Sequence, residues 1–418
     1  MKKIAITGLG FVTSIGNDKN QVLDSLINLK SGIDLNPQFS DEKCPVKCTG
    51  IIKDFATPGT DPEDWSFPSK YSIRREVLRG FSPHVLYAYC STIQAIEDAS
   101  LTPEQIANDT STGMYTASSG STTFLYNHML RMDKVGVMRC HPMGVVSSVV
   151  GTLSYNLVSA FKITGASCGF ASACASSSHA LGFACDEISM GRQKRMIIVG
   201  GEDGDYRTII PFAGMRALSM SKDPSTASRP FDKNRDGFVG TGGAVTMIIE
   251  DEEEALARGA KIYGRILSWG QASDGFNVAI PHPEGTGLIN AIKNAFDSAK
   301  INPSEVDYIN AHATSTPIGD VAELKAIKKV FGEDSKVAIS STKAITGHGL
   351  SLAGIMEASF CALALSEGLT LGSANITELD DEAKSLNIIQ KTEKTDPKVM
   401  LSLSSGFGGA NTCIILKK

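Results

Sequence analysis

No run in this 418-residue chain approaches the roughly 20 consecutive apolar residues that cross a bilayer, so the expected setting is the cytoplasm, away from membranes. Positive charge is not in excess either: 40 Lys and Arg face 45 Asp and Glu, a net charge of −5. Nothing neutralises phosphates at domain scale, and no nucleic-acid partner is expected. The nine cysteines, at 44, 48, 90, 140, 168, 174, 185, 361 and 413, are odd in number and scattered. That pattern argues against a disulfide framework and for a reducing compartment. Only CPVKC (44–48) has a zinc-like spacing, no second Cys/His pair complements it, and H-E-x-x-H is missing, so no metal is expected. Low-complexity tracts and solenoid periods are also missing. The opening MKKIAITGLGFVTSIG (1–16) loosely mimics a secretion signal, but Gly8, Gly10 and Gly16 interrupt it and polar NDKNQ follows without a cleavage site. It reads as a first strand.

What the chain does have is the balance of a folded protein, with 42% hydrophobic and 20% charged residues. Its length exceeds one simple core and predicts two domains or two fused halves. Strand-like runs recur in KIAITGLG (3–10), RMIIVGG (195–201), GAVTMIIED (243–251), KVMLSLSSG (398–406) and NTCIILKK (411–418). Helical patterns over 82–100, 286–300 and 319–331 lie between them, an alternation that predicts an α/β architecture with buried central strands. The charged stretch EDEEEALARGAK (250–261) marks the expected divide, giving halves 1–251 and 252–418. Two segments look alike, ACASSSHALGFACDEISMG (173–191) and GHGLSLAGIMEASFCALALSEG (347–368). Each places a reactive residue type and small residues first, then an apolar face, then a glycine. This predicts an internal duplication.

The chemistry concentrates around one cysteine. In FASACASSSHAL (170–181), Cys174 stands among small residues, with Ser172 two before it and His179 five after. No proline or glycine follows until Gly182, so a helix starts at or just after Cys174, and its N–H groups and dipole are expected to stabilise a thiolate. An inert buried cysteine is the competing reading. Two other segments imitate sites. GLGFVTSIG (8–16) approximates a dinucleotide fingerprint, but its third glycine, Gly16, comes too late for the tight helix–strand approach. GASCG (165–169) matches a serine-hydrolase elbow at Ser167, but Gly169 interrupts the helix an elbow requires. The second half supplies partners for the thiol: His312, Thr314 and Thr316 in NAHATSTPIGDVAEL (310–324), Lys343 and His348 in ISSTKAITGHGLSLAG (339–354), and Phe407 in SSGFGGAN (404–411). One thiol, two histidines, a lysine and glycine-rich loops fit acyl transfer to cysteine, with backbone N–H groups forming an oxyanion hole.

In order along the chain, KIAITGLGFVTSIGN, SACASSSHALG, GMRALSMSKDPSTASRPFDKNRDGFVGTGGAVTMIIED, HATSTPIGD, STKAITGHGLSLAG and SGFGGAN resemble the β-ketoacyl-acyl-carrier-protein synthases of the elongating types I and II. The resemblance runs nearly end to end. It implies a thiolase-like α/β fold of two duplicated βαβαβαββ halves in a five-layer α-β-α-β-α sandwich, usually a homodimer, with a heterodimer as the alternative. It implies that Cys174 takes an acyl chain from acyl carrier protein, and that His312 and His348 assist decarboxylation of malonyl-carrier protein and stabilise the enolate. Backbone N–H groups of Cys174 and Phe407 would form the oxyanion hole, and the Phe407 ring would gate the thiol. By resemblance, Lys343 is the active-site lysine, Glu357 the glutamate behind the second histidine, and Asp320 and Glu323 a supporting acidic pair. Thr314 and Thr316 match threonines that bind the phosphopantetheine arm of the carrier, and no diffusible cofactor is implied.

An acidic carrier implies a basic approach, with Arg74, Arg75, Arg79, Arg131, Lys134 and Arg216 as candidates. The His-His pair argues against the coenzyme-A-primed initiating branch and against degradative thiolases. Three features depart from the family: Ala313 where glycine is common, Ser405 where phenylalanine is common, and the stretch GASCGFASAC before the nucleophile. These leave two substrate settings open, fatty-acid elongation or a specialised type II polyketide or aryl-polyene pathway. A non-catalytic partner subunit, a class that lacks the nucleophile, is a third reading.

Overall fold

The computed structural model describes residues 2–42 and 44–418. Its large sheet has ten strands: β1 (Ile4–Val12), β2 (Thr112–Ala117), β3 (Ser167–Phe170), β4 (Arg195–Glu202), β5 (Gly243–Asp251), β6 (Gly264–Ser273), β7 (Tyr308–Asn310), β8 (Ala338–Ser340), β9 (Val399–Gly406) and β10 (Ala410–Lys417). They lie in the order β8-β7-β9-β10-β6-β1-β5-β4-β2-β3. The first five strands take the order third, second, fourth, fifth, first, and the last five repeat it, which is the duplication foreseen from the two similar helical segments. Directions repeat too. The third, second and fourth strands of each set are parallel, and the fifth runs antiparallel to its neighbours. The two five-stranded sheets join along one seam, where Ile4, Ala5 and Ile6 of β1 pair with Ile266, Arg265 and Gly264 of β6.

Among the helices are α1 (Pro83–Asp98), α2 (Thr122–Val135), α3 (Thr152–Phe161), α4 (Ser176–Ser189), α5 (Thr286–Ala299), α6 (Pro317–Phe331) and α7 (Ala353–Glu367), and all of these but α2 set the layers. Prolines at the first helical position pre-set the backbone of α1 and α6, where a missing N–H costs nothing. α1 and α3 cover the outer face of the first sheet, α5 and α6 the outer face of the second, and α4 and α7 lie between the sheets. The result is the five-layer sandwich. Both halves use the same device to seat an outer helix on the first strand. A Cβ at Gly10 of β1 would lie 1.9 Å from the Ser91 carbonyl oxygen of α1, and one at Gly270 of β6 would lie 2.2 Å from the Ala291 carbonyl oxygen of α5. The glycines of GLGFVTSIG are therefore packing residues.

α7 and the turn before it form an 18-residue segment, Leu350–Glu367, as long and apolar as a short membrane span. Ser351, Glu357, Ser359 and Ser366 interrupt it, so it is not one consecutive apolar run. Its apolar partners are the two sheets and α4. Cys44 and Cys48 of the zinc-like pair are both buried, and Cys44 packs in a small cluster with Phe39, Ile209 and Leu218.

Candidate active site

The site forms where the central layer meets the ends of the strands of the second half. Cys174 follows β3 and sits two residues before α4, so the predicted helix start is observed just past the sulfur. His312 follows β7 through Ala311, and His348 enters α7 through a short 3-10 turn, Leu350–Leu352. The duplicated topology thus places Cys174 and His348 before equivalent helices. His348 is fixed by its own backbone, its N–H donating to the Val239 carbonyl at 2.6 Å and its carbonyl accepting from the Thr241 N–H at 3.0 Å.

The imidazole of His348 reaches the thiol: Nε2 lies 3.0 Å from Cys174 Sγ, and the pair shares one hydrogen bond whichever atom carries the proton. The His312 ring stands edge-on to that of His348, centroids 5.3 Å apart and planes 87° apart, and Phe238 packs edge-on against His348 at 5.3 Å. Behind the imidazoles, Lys343 and Glu357 form an ion pair with both side chains almost wholly enclosed. Glu323 accepts from the His312 N–H at 2.7 Å and the Ala313 N–H at 2.6 Å, fixing the chain at His312. Asp320 accepts from Ser315 and Phe231 N–H groups at 3.1 Å and pairs with Arg235 at 3.2 Å, one shell further out.

Electrostatics correct one expectation. Burial pushes the Cys174 thiol up to about 12, Glu202 and Glu357 push the same way, and Lys343 pulls it down. Burial thus acts against the thiolate that the sequence leads one to expect at the helix start. Burial also holds His348 well below the usual histidine range, helped by the Lys343 charge, and holds His312 low for the same reasons plus its neighbour His348. Both rings are neutral, so each offers an uncharged N–H donor. The carboxyls move the other way. Burial raises Glu357 to about 7 against the pull of Lys343, Glu323 to about 7 against its two N–H donors, and Asp320 to about 6 against Arg235.

These residues surround one cavity of about 440 Å³. Cys174, His312, His348, Phe407, Thr314, Thr316, Glu323 and Arg216 of the predicted set line it. Thr314 and Thr316 hydroxyls lie 3.2 Å apart on its wall, and the half-exposed Phe407 ring packs 6.0 Å from Phe212. Ala313 and Ser405, two of the three departures, line it as well, and Ser405 Oγ donates to Asn411 Oδ1 at 2.7 Å. Lys343, Glu357 and Asp320 stand behind this wall. Arg74, Arg75, Arg79, Arg131 and Lys134 lie on the surface away from the lining. Arg75 and Arg79 are tied to Glu63, Arg74 to Glu76, and Arg131 Nε donates to the Arg139 carbonyl. Ser167 lies exposed on the edge strand β3, with no helix starting behind it. Sequence reading missed Glu202, a buried carboxylate that accepts from the Ser119 N–H and the Ser119 and Ser351 hydroxyls. The available signal was GED (201–203) directly after an apolar strand, an expensive place for two acids.

Comparison with known proteins settles the family. The family described as "Beta-ketoacyl synthase, N-terminal domain" matches residues 1–255, and "Beta-ketoacyl synthase, C-terminal domain" matches residues 263–377. The chain belongs to the β-ketoacyl synthase family. Among curated β-ketoacyl synthases, 3-oxoacyl-[acyl-carrier-protein] synthase 1 of Haemophilus influenzae is 39% identical, with 100% of this chain and 99% of that one covered. The Escherichia coli K12 protein of the same name is 38% identical over the same shares. A solved β-ketoacyl synthase from Burkholderia phymatum superposes with a TM-score of 0.91 at 29% identity, covering 100% of both chains. A type II polyketide ketosynthase, solved in complex with its acyl-carrier protein, superposes with a TM-score of 0.86 at 25% identity, covering 100% of this chain and 99% of that one.

Proposed function

We propose that this chain is an elongating 3-oxoacyl-acyl-carrier-protein synthase acting in fatty-acid elongation. The observation that carries the reading is the convergence of the Cys174 thiol and two neutral imidazoles in one cavity. In the first half-reaction His348 Nε2 takes the thiol proton, and the sulfur attacks the acyl thioester. The tetrahedral oxyanion is held by the Cys174 and Phe407 N–H groups, and the carrier's pantetheine thiol leaves with the proton. In the second, a malonyl thioester lies with its carbonyl oxygen toward His312 and His348. His312 offers an uncharged N–H donor, and His348 offers a second once its single ring proton has moved from Nδ1 to Nε2 by exchange with solvent; together they stabilise the enolate that forms as the carboxylate departs as CO₂. The enolate carbon attacks the acyl group on Cys174, the C–S bond breaks, and the departing thiolate takes a proton from solvent water to restore the thiol. The Lys343 charge behind the rings helps burial keep them neutral, and Glu357 pairs with that lysine; neither side chain lines the cavity.

Acyl carrier protein is the expected partner, its phosphopantetheine arm lying along Thr314 and Thr316, with Arg216 at the cavity wall. Full-length likeness to synthase 1 proteins supports fatty-acid elongation over a specialised polyketide pathway. A homodimer is the proposed assembly, supported by the open edge at β3 and by exposed Leu125, Tyr126, Met129 and Leu130 on α2 beside exposed Met138. The deciding experiment is intact-protein mass after mixing with a panel of acyl-carrier proteins, with Cys174→Ala in parallel. One acyl mass on wild type, missing from Cys174→Ala and kept by Ser167→Ala, is the expected result. No loading, or equal loading on the Cys174→Ala chain, overturns the reading and favours the partner-subunit role.

A further inference from the structure

Each of the four polar side chains of Ser176–His179 is committed to a hydrogen bond, two of them to Ser172. Ser176 Oγ accepts from the Ser172 N–H at 2.8 Å and donates to the Ala173 carbonyl at 2.6 Å. Ser177 Oγ accepts from the Ile355 N–H at 2.9 Å, joining α4 to α7, and Ser178 Oγ lies 2.8 Å from Ser404 Oγ on β9. His179 turns back toward the nucleophile. Its Nδ1 is 2.8 Å from Ser172 Oγ and 3.2 Å from the Ala175 carbonyl oxygen, so one ring contacts the chain on both sides of Cys174. From its other side the ring meets the Trp269 indole edge-on, centroids 6.2 Å apart, and the Gln271 side chain, both on β6 of the second half. Between these anchor points Ala173 holds φ +50, a left-handed conformation that an alanine keeps only when its surroundings over-determine it.

We infer that His179 is a positioning residue for the nucleophile: through Ser172 and Ala175 it braces the 172–175 turn so that the Cys174 sulfur and N–H face the cavity. The inference rests on the reading of Cys174 as nucleophile. His179 itself does not line the cavity, so it acts through the turn and not on substrate. Burial keeps the ring uncharged, which suits a hydrogen-bonding brace.

The test is the rate of Cys174 alkylation by iodoacetamide, followed by mass on the Cys174 peptide of the full chain, with thermal midpoints measured alongside. His179→Phe keeps ring volume and removes the hydrogen bonds; it is expected to slow alkylation about tenfold or more, the scale on which ångström misplacement acts. His179→Asn, whose amide nitrogen takes the place of Nδ1, is expected to restore most of that rate, and Ser172→Ala to slow it a few-fold. In the condensation assay the same variants are expected to lose kcat with KM for the acyl carrier unchanged. A His179→Phe chain that alkylates at the wild-type rate overturns the inference. So does a loss that His179→Asn fails to restore while its thermal midpoint matches wild type. Should His179→Phe not fold, an unchanged rate in Ser172→Ala overturns it equally. Alkylation needs no carrier protein, so failed condensation with normal alkylation counts against the proposed function and leaves the brace standing.

Discussion

The two halves share a strand order and a central helix in the same place, yet fill those places with opposite chemistry. The helix of the first half, α4, opens with a thiol and a row of hydroxyls, each committed to a named neighbour. The helix of the second half, α7, opens after His348, runs almost entirely apolar, and encloses one charged residue, Glu357, paired with Lys343. Duplication supplies two equivalent helix starts pointing into one cavity. Divergence then makes one start the nucleophile and the other the hydrogen-bond donor. A reaction in two stages needs that asymmetry, because the group that becomes acylated cannot also cradle the second substrate.

The sharpest way to break this comparison is to remove one half's chemistry at a time. His312→Ala is expected to keep acyl loading on Cys174 while losing malonyl decarboxylation by 10² or more, on the order of a positioned acid–base group. Acyl mass and CO₂ release measured on the same sample check it, and parallel loss of both would show that the halves do not divide the work. Next comes the field between them. Lys343 lowers and Glu357 raises the Cys174 thiol. Lys343→Met should therefore slow alkylation at pH 8 and Glu357→Gln should speed it, each by up to about tenfold per pKa unit moved. Shifts of the same sign would sink the assignment.

The raised acids give a stability prediction. Asp320, Glu323 and Glu357 bind protons more tightly folded than unfolded, up to about 6, 7 and 7. Between ordinary carboxylate values near pH 4 and those folded values, the native state holds more protons, so their contribution to stability falls as pH rises and levels off above about 7. Glu357→Gln should flatten the thermal midpoint against pH between 5 and 8, and an unchanged slope would contradict it. Gly10→Ala and Gly270→Ala, equivalent contacts in the two halves, should each cost roughly 2–4 kcal/mol in chemical denaturation, as backbone has to move. A cost in only one half would weaken the structural equivalence. The smallest effect concerns the carrier. Arg216→Ala at the cavity wall should raise its KM a few-fold, and Arg75→Ala, already paired with Glu63, less than twofold in steady-state assays.

The long helices and the five strands read from sequence were legible because their apolar runs are long and end in glycine, proline or charge. β7 and β8, of three residues each, carry no periodicity to detect, and β3 is exposed and reads as loop. Cys174, His312, His348 and Lys343 stood out because reactive residue types interrupt small or apolar surroundings. The protonation state of the sulfur was not legible, since it depends on burial by segments more than a hundred residues away. His179 was visible as a letter but not as a brace, because the second contact that gives it purpose comes from β6.

The central layer also sets a timetable for synthesis. α4 leaves the ribosome with its inner face bare, and α7, which covers it, follows about 160 residues later. At ordinary translation rates that interval is on the order of ten seconds or more. During that time the first half carries an unfinished apolar surface and a cysteine lacking its histidines. The newborn chain thus holds its nucleophile disarmed until the last quarter of the sequence arrives, and it is most vulnerable to aggregation or chaperone capture in the same interval.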